Sequence, residues 1–363
     1  MSRGVLLCIL VIALGARDFV PLPVHAAALP AATWINVTGN LANMASECGN
    51  LTTISAVPGS DTVIAGIALR GLWANISGST WSQLGTGAGS ATITNRPMWI
   101  AYDPAHPGTF WESGIYNGGG VFKTTDNGNT FQQLGSISHN DYVSVDFGDP
   151  NRQTLLAGGH EQSQRVERST DGGQTWTDVG DNLPANTNHS THPLIVTSQI
   201  HLVNTAGWNG GTVGVYRTTN GGTSWQQVSA LGPSGAPLVT SNGAIYWPYG
   251  DTLLKSTNSG LTWTQVGSNL RSVTPIEMPD GTLVAAGTNN LVTSSDGGSS
   301  WSPLGPALPF ALTSLTYSLN RQAFFISHWD CGGEVLSDAV MSLDYAFSTV
   351  PAPPGNLRIL PGH

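Results

Sequence analysis

A short pattern recurs along the chain, and it constrains the fold more than any other feature of the sequence. It combines Ser or Thr, Asp or Asn, Gly, and a closing Trp or Phe, as in "RSTDGGQTW" at 168–176. The closing aromatics stand at positions 81, 131, 176, 225, 263 and 301, so the intervals run from 38 to 50 residues. A motif repeated at this spacing predicts an array of similar supersecondary units.

Each position of the pattern suits a tight turn. The Asp or Asn side chain is expected to accept hydrogen bonds from backbone N–H groups two residues on, and Gly supplies a positive φ without steric cost. The aromatic residue then begins a strand and buries a large ring. The pattern therefore predicts a hairpin turn with an anchor in the core, and not a catalytic motif. The turn residues are Asp126, Asp171, Asn220, Asn258 and Asp296, followed by Gly128, Gly173, Gly222, Gly260 and Gly298.

The pattern resembles the Asp-box (BNR) repeat of sialidase-like β-propellers, in which the box lies between the third and fourth strands of each four-stranded blade. Six boxes account for six blades, and the chain end from about Leu312 to Tyr345 has strand-like runs without a box. The stretch "TWINVTGNL" at 33–41 is similar to a fourth strand. We therefore expect an all-β fold, a single seven-bladed β-propeller with four antiparallel strands per blade and an N-terminal strand closing the last blade. Six blades with a decorated tail are the alternative.

The two ends of the chain differ from the repeats in composition. The basic start "MSR", the 13-residue apolar run "GVLLCILVIALGA" and the small residues of "VHA" predict a signal peptide over 1–26. An uncleaved anchor is the alternative, although the apolar run is short for a transmembrane helix. We assign 27–347 to the propeller and 348–363 to a Pro-rich C-terminal tail. The mature protein is expected to be secreted or periplasmic, monomeric and free of the membrane.

The charge of the chain argues against one class of partner, and its cysteines predict a disulfide. The formal net charge is −9 and only 10% of residues are charged, which argues against nucleic acid because phosphates demand a basic footprint. Removal of a signal peptide would take Cys8 with it and leave Cys48 and Cys331. In a closed ring these two residues fall in neighbouring blades and on one face. We therefore predict a Cys48–Cys331 disulfide, against the alternative of two free thiols.

The face opposite the box turns is expected to carry function. It is built from the segments that lead into each blade and from the loops between second and third strands, and these collect most of the His, Arg and exposed aromatic residues. The predicted catalytic residues are His139, His160, Tyr142, Arg96 and Arg165. The predicted substrate-binding residues are Arg70, Tyr116, His189, His192, Trp208, Trp247, Tyr249, Arg271, His328 and Trp329.

These residue types favour cleavage of an acidic glycan. The chain is similar in fold and residue type to seven-bladed polysaccharide lyases, such as ulvan lyases and rhamnose–glucuronate lyases, which implies β-elimination on a uronate. That reaction needs a cation to neutralise the carboxylate and a His or Tyr as base and acid. Exposed Trp rings suit the C–H faces of sugars. The first hypothesis is therefore a carbohydrate-active enzyme, a polysaccharide lyase without a cofactor.

Other functions remain open on the sequence. An exo-sialidase-like glycoside hydrolase would clamp a carboxylate with three arginines, for which Arg70, Arg96 and Arg271 are available, but the Arg-Ile-Pro motif of sialidases is missing. A two-carboxylate hydrolase could draw on Glu47, Glu112, Asp141, Glu161 and Asp330. A non-catalytic propeller would use the same loops to bind a glycan or a protein. The two histidines of "NHSTHP" at 188–193 suggest a metal, but no third ligand is assured, and we assign no metal site.

Overall fold

The strands form seven sheets of four, and the prediction of seven blades is confirmed. The computed structural model describes residues 32–49, 51–187, 192–206, 211–329, 333, 336 and 340–346. The predicted signal peptide, the whole predicted tail, and His189, Trp208, Asp330 and Cys331 lie outside these residues. All strand pairs are antiparallel, and each of blades one to six is built from four consecutive strands.

In blades one to three the first strand has six or seven residues. Blade one is β2 (Leu51–Ala56), β3 (Val63–Ile67), β4 (Gly71–Asn75) and β5 (Ser82–Gln83). Blade two is β6 (Arg96–Tyr102), β7 (Phe110–Ile115), β8 (Gly120–Thr124) and β9 (Gln132–Gln133). Blade three is β10 (Asn140–Val145), β11 (Leu155–Gly159), β12 (Val166–Ser169) and β13 (Thr177–Asp178).

Blades four to six repeat the arrangement, with a first strand of two residues in each. Blade four is β14 (Leu194–Ile195), β15 (His201–Ala206), β16 (Val213–Thr218) and β17 (Gln226–Ser229). Blade five is β18 (Leu238–Val239), β19 (Ile245–Tyr249), β20 (Thr252–Ser256) and β21 (Thr264–Val266). Blade six is β22 (Ile276–Glu277), β23 (Leu283–Ala286), β24 (Asn290–Ser294) and β25 (Ser302–Ala307).

Blade seven joins the two ends of the chain. Its strands are β26 (Ser314–Ser318), β27 (Ala323–Ser327), β28 (Val340–Asp344) and, as the outer strand, β1 (Ile35–Asn36). β1 pairs antiparallel with β28, so that Ile35 lies opposite Ser342 and Asn36 opposite Met341. The predicted closure by an N-terminal strand is confirmed, and it leaves the ring with short, protected edges.

The core is divided among the interfaces between neighbouring blades. Seven clusters of buried apolar residues are found in the described structure, and each draws on two adjacent blades. At the seam, Val37 of the N-terminal segment packs with Leu51 of blade one and Phe325 of blade seven. Because every blade depends on both neighbours for burial, the ring is stabilised as a whole.

The repeated turns lie between third and fourth strands, with one correction to the expected hydrogen bonds. In blade three, Asp171 Oδ1 accepts from the backbone N–H of Thr175 at 2.9 Å, which is four residues on and not two. The N–H of Gly173, two residues on, donates instead to Ser169 Oγ at 2.8 Å. Hydrogen bonds from Thr175 lower the pKa of Asp171 to about 2. The first Ser or Thr of the pattern is therefore part of the turn, which the sequence analysis did not foresee.

Helices contribute little to the described part of the chain. Three short 3-10 turns occur there, at Gly39–Leu41, Glu47–Gly49 and Gly180–Asn182. None of the described helices is long and apolar enough to cross a bilayer.

Candidate functional site

Loops from four blades meet on the face away from the repeated turns. We call the group of side chains formed there the loop-face cluster. Tyr116 follows β7, and His160 follows β11, so both stand in connections between second and third strands. His139 immediately precedes β10, and its carbonyl accepts a 2.8 Å hydrogen bond from the N–H of His160. The cluster consists of Glu47, Arg96, Tyr116, Asn117, His139, Asp141, His160, Glu161 and Trp329.

The centre of the cluster is a chain of hydrogen bonds from a buried carboxylate to a phenol. Both oxygens of Asp141 lie 2.9 Å from Nδ1 of His160, and Asp141 is almost fully buried. Nε2 of His160 lies 3.0 Å from the hydroxyl of Tyr116. A carboxylate only accepts, so Nδ1 of His160 carries the hydrogen and Nε2 presents a lone pair to the phenol. The arrangement can move a proton between Tyr116 and His160.

The phenol of Tyr116 is held in its protonated form. Burial and the Glu161 carboxylate raise its pKa, and Arg96 opposes them only in part. The hydroxyl also lies 3.2 Å from Oε1 of Glu161, so it has two acceptors for one hydrogen. Tyr116 is therefore a proton donor at rest and needs a base to become an acceptor.

One ring nitrogen of His139 is bonded to the turn that carries Tyr116. The backbone N–H of Tyr116 donates to its Nδ1 at 3.1 Å, and a backbone N–H can only be a donor. Nε2 of the neutral ring must therefore carry the hydrogen. Burial and the neighbouring His160 lower the pKa of His139, so the imidazole is neutral at physiological pH. His139 is thus a hydrogen-bond donor and not a base at Nε2.

The tautomer assigned to His139 decides which atoms of the cluster could bind a metal ion. One possible ligand atom each from His139, His160 and Glu161 lies within 4.8 Å of the others. Nδ1 of His139 already accepts a backbone hydrogen bond, and its Nε2 carries a hydrogen, so neither offers a lone pair. Only His160 and Glu161 are left as donors to a metal within this group. The chemistry of the donor set favours proton transfer over metal binding.

A single cation belongs to the cluster. The guanidinium of Arg96 lies 4.8 Å from the ring centre of Tyr116 and 6.0 Å from that of Trp329. Its Nη2 is 3.4 Å from Oε2 of Glu47, and its buried Nε has no hydrogen-bond partner among the described residues. Trp329 is 41% exposed. Since blade one separates the blades of Arg96 and Trp329, their contact places the cluster on the inner part of this face.

Several residues of the cluster have a backbone conformation that is rare for residues with side chains. Tyr116, Asn117, His139 and Glu161 have φ between 46° and 66°, although none is glycine. Cys48, beside Glu47, has φ 53°. Residues with side chains seldom occupy this left-handed region, and such strain is commonly retained at functional sites. The strain marks the cluster independently of its chemistry.

Two further predicted residues form a buried layer beside Asp141. Tyr142 packs its ring on Trp99 at 4.7 Å and on His192 at 5.7 Å between ring centres. Burial raises the pKa of Tyr142 and lowers the pKa of His192 to about 4. Both are neutral at physiological pH, and their positions suit support of the cluster.

The other predicted arginines lie outside the cluster. Arg165 donates to Oε1 of the buried Glu167 and lies 3.2 Å from Asp178. Arg70 donates to the carbonyl of Ala45 at 2.7 Å, and Arg271 donates to the carbonyls of Gly287 and Thr288. Of the three arginines of the sialidase-like clamp, Arg96 is the one that contacts Tyr116 and Trp329 in the described structure.

The predicted aromatic residues divide between core and surface. Trp247 is fully buried between blades four and five and donates to the carbonyl of Gly235, so the prediction that it contacts substrate is wrong. Tyr249 packs against the same core cluster. His328 bonds the carbonyl of Ala311 through Nδ1 at 2.9 Å and stands next to Trp329. Among the described aromatics, only Tyr116 and Trp329 both belong to the predicted set and reach Arg96.

Four members of the cluster were not in the predicted site. Asp141, Glu47 and Glu161 were noted only as possible carboxylates of a hydrolase, and Asn117 was not considered. Asp141 stands two residues after His139 at the start of a strand, which is the one signal that could have marked it. Asn117 donates to Oε2 of Glu47 at 2.7 Å across 70 residues of sequence.

Cys48 lies beside the cluster. It is disulfide-bonded. Its predicted partner, Cys331, falls outside the described residues, so the Cys48–Cys331 pairing stays a prediction.

Fold and site together define the class: a seven-bladed β-propeller with an acid–base cluster on its loop face. Residues 175–323 match the model of a family described as the DUF6242 beta propeller domain. A search of curated proteins gave no match.

Solved structures resemble the chain at the level of the fold. A GH74 enzyme from Niastella koreensis has a TM-score of 0.62 at 17% identity, over 87% of this chain and 54% of that one. The GH74 xyloglucanase from Xanthomonas campestris has a TM-score of 0.58 at 18% identity, over 86% and 53%. YCF48, solved with a D1 peptide, has a TM-score of 0.53 at 14% identity, over 88% and 98%. The chain thus spans about half the length of the two GH74 enzymes.

Proposed function

We propose that this protein is an exported, carbohydrate-active propeller that cleaves a uronate-containing glycan by β-elimination. The observation that carries the proposal is the hydrogen-bonded series Asp141–His160–Tyr116 beside the Arg96 guanidinium. β-Elimination requires a cation at the carboxylate and a group that removes the C5 proton and protonates the leaving oxygen. The cluster contains both, within contact of one another.

In this proposal the substrate carboxylate binds to Arg96. The buried Nε–H of Arg96 lacks a partner in the described structure, so an incoming carboxylate has a donor to satisfy. The Nε2–H of His139 would add a second, neutral donor. Trp329 presents a partly exposed ring over which a sugar can stack. Neutralising the carboxylate acidifies the C5 proton, which prepares the elimination.

Proton transfer then runs through the phenol. Tyr116 passes its hydrogen to Nε2 of His160 as its oxygen takes the C5 proton, and Asp141 stabilises the imidazolium. The C4–O bond breaks, a C4=C5 double bond forms, and Tyr116 protonates the leaving oxygen. His160 returns its proton to the phenolate, so the net transfer is from C5 to the leaving oxygen. The raised pKa of Tyr116 explains why it needs His160 as a base.

Two further features support the carbohydrate class and export. The fold is shared with GH74 enzymes, one of them a xyloglucanase, although at this identity the likeness concerns the fold alone. The predicted signal peptide over 1–26 suits export, and the disulfide-bonded Cys48 suits an oxidising compartment. Secretion or release to the periplasm is therefore part of the proposal.

A glycoside hydrolase is the second candidate. Glu161 bonds to the hydroxyl of Tyr116 and Glu47 bonds to the neighbouring Asn117, and a hydrolase works with a pair of carboxylates. The sialidase variant is less favoured, because the Arg-Ile-Pro motif of sialidases is missing from the sequence. The acid–base series has no place in a two-carboxylate mechanism, and for this reason we rank elimination first.

One assay separates the candidates. The mature protein is incubated with polyuronate oligosaccharides, with xyloglucan and with sialylated glycans. Elimination predicts ultraviolet absorbance from an unsaturated uronate, whereas hydrolysis predicts new reducing ends without that absorbance. Binding without either product would indicate a recognition module and would refute the enzyme proposal.

A further inference from the structure

We propose that Glu47 is a specificity-determining residue, an internal counter-ion that occupies Arg96 until the carboxylate of a ligand displaces it. The proposal deepens the proposed function, since it concerns the same Arg96 site. It concerns binding and not turnover, so it can be tested whatever reaction follows.

The contact between Glu47 and Arg96 is suited to exchange. Oε2 of Glu47 lies 3.4 Å from Nη2 of Arg96, a long ion pair, and the Nε–H of Arg96 has no partner among the described residues. The Arg96 side chain is only 11% exposed, while that of Glu47 is 34% exposed. A carboxylate at hydrogen-bond distance would satisfy a nearly buried guanidinium better than Glu47 does. Glu47 thus approaches Arg96 from the solvent side and occupies the position that we propose for a ligand carboxylate.

A separate contact fixes Glu47 in this place. Asn117 donates from Nδ2 to Oε2 of Glu47 at 2.7 Å. Asn117 follows Tyr116 in a turn where both residues have positive φ, and Cys48, which follows Glu47, is disulfide-bonded. The carboxylate is therefore held by the turn that carries the phenol. Glu47 therefore contacts both Arg96 and the turn formed by Tyr116 and Asn117.

The charges of the cluster determine which ligands Glu47 affects. Arg96 is its one cation, against the carboxylates of Glu47, Asp141 and Glu161. A ligand carboxylate must compete with Glu47 for the cation and is repelled by its charge. A neutral sugar meets no such competition. Loss of the Glu47 charge should therefore tighten the binding of acidic ligands selectively.

Glu47→Gln isolates the charge, because glutamine keeps an acceptor for Asn117. Binding of a glucuronate oligosaccharide and of its carboxyl-reduced, neutral form is measured by calorimetry. Glu277→Gln is the matched control, since Glu277 is a carboxylate of blade six that accepts hydrogen bonds from Ser241 of blade five and is not part of the cluster. Thermal unfolding of each variant reports whether the fold is kept.

We expect Glu47→Gln to bind the acidic oligosaccharide about tenfold more tightly, with the neutral form changed by less than about twofold. The control should match the wild type with both ligands. Affinity for the acidic ligand that is unchanged or weaker in Glu47→Gln would overturn the proposal, and so would equal tightening of the neutral ligand. Absence of unsaturated product in the activity assay would refute elimination and leave this result as it stands.

Discussion

The hydroxyl of Tyr116 lies 3.0 Å from Nε2 of His160, whose other nitrogen is bound by the buried Asp141. This relationship joins the loops of blades two and three and sets the direction of every hydrogen bond between the three residues. It provides an acid whose proton can be withdrawn and returned. The predictions below follow from it and from the buried groups around it.

Removal of the phenolic hydroxyl should abolish most of the activity. Tyr116→Phe keeps the ring under Arg96 but removes the atom that carries the proton. We expect kcat to fall about 10²- to 10⁴-fold, with binding of the oligosaccharide little changed. Tyr246→Phe, which removes a hydroxyl bonded to the carbonyl of Gly297, is the control. Activity close to that of the wild type in Tyr116→Phe would exclude the phenol as proton carrier.

Replacement of Asp141 by Asn should reverse the tautomer of His160. The amide can donate to Nδ1, which places the ring hydrogen on Nε2 and removes the acceptor that His160 offers to the phenol. We expect a loss in kcat of about 10²-fold or more, with KM nearly unchanged. Asp280→Asn, in an exposed turn bonded to Thr282, serves as the control. A change in KM alone would show that Asp141 only shapes the binding surface.

Glu112 should make the protein less stable as pH rises. It is fully buried, accepts from Asn95, and has its pKa raised by burial to about 8. The folded state then holds a proton that the unfolded state releases above about pH 4.3. This contribution to stability falls by about 1.4 kcal/mol per pH unit until about pH 8, where folded Glu112 also ionises.

Glu112→Gln removes this titration while keeping an acceptor for Asn95. The difference in unfolding free energy between variant and wild type, measured in urea at pH 5 and pH 8, should shift in favour of the variant at the higher pH. Glu277→Gln, at a half-buried glutamate that accepts hydrogen bonds from Ser241, should show no such shift. A difference that is the same at both pH values would mean that Glu112 is ionised in the folded protein.

The predicted Cys48–Cys331 disulfide should hold the seam of the ring. Peptide mapping without reductant is expected to recover the two cysteines in linked peptides, and reduction should lower the stability by about 2–5 kcal/mol. Alkylation of Cys331 in the unreduced, folded protein would show that the pairing is wrong.

The fold was predictable because its determinants are local and repeated. The six copies of the pattern mark the turns of six blades, and "TWINVTGNL" resembles the other outer strands and supplies one to a seventh. The closure of β1 on β28 then follows from the need to cover an edge. The offset of the Asp171 hydrogen bond was not predictable, because it depends on the Ser169 hydroxyl competing for the Gly173 N–H.

The site was predictable only in outline. Residue types placed Arg96, Tyr116, His139 and His160 on one face, and they do meet. Trp247 was misplaced because it lies within β19, where the side chain turns into the core. Glu47 was missed as a partner of Arg96 because the contact spans separate blades and no sequence pattern encodes such a distance.

The most direct test of the account is the rate at which wild type and His160→Gln form unsaturated uronate from the same polyuronate oligosaccharide. His106→Gln is the matched control, because His106 is also bonded to an aspartate, Asp103, but lies outside the cluster. We predict product from the wild type and the control, and a rate at least about 100-fold lower in His160→Gln with binding retained. No unsaturated product from the wild type, or comparable rates in all three, would contradict the central claim.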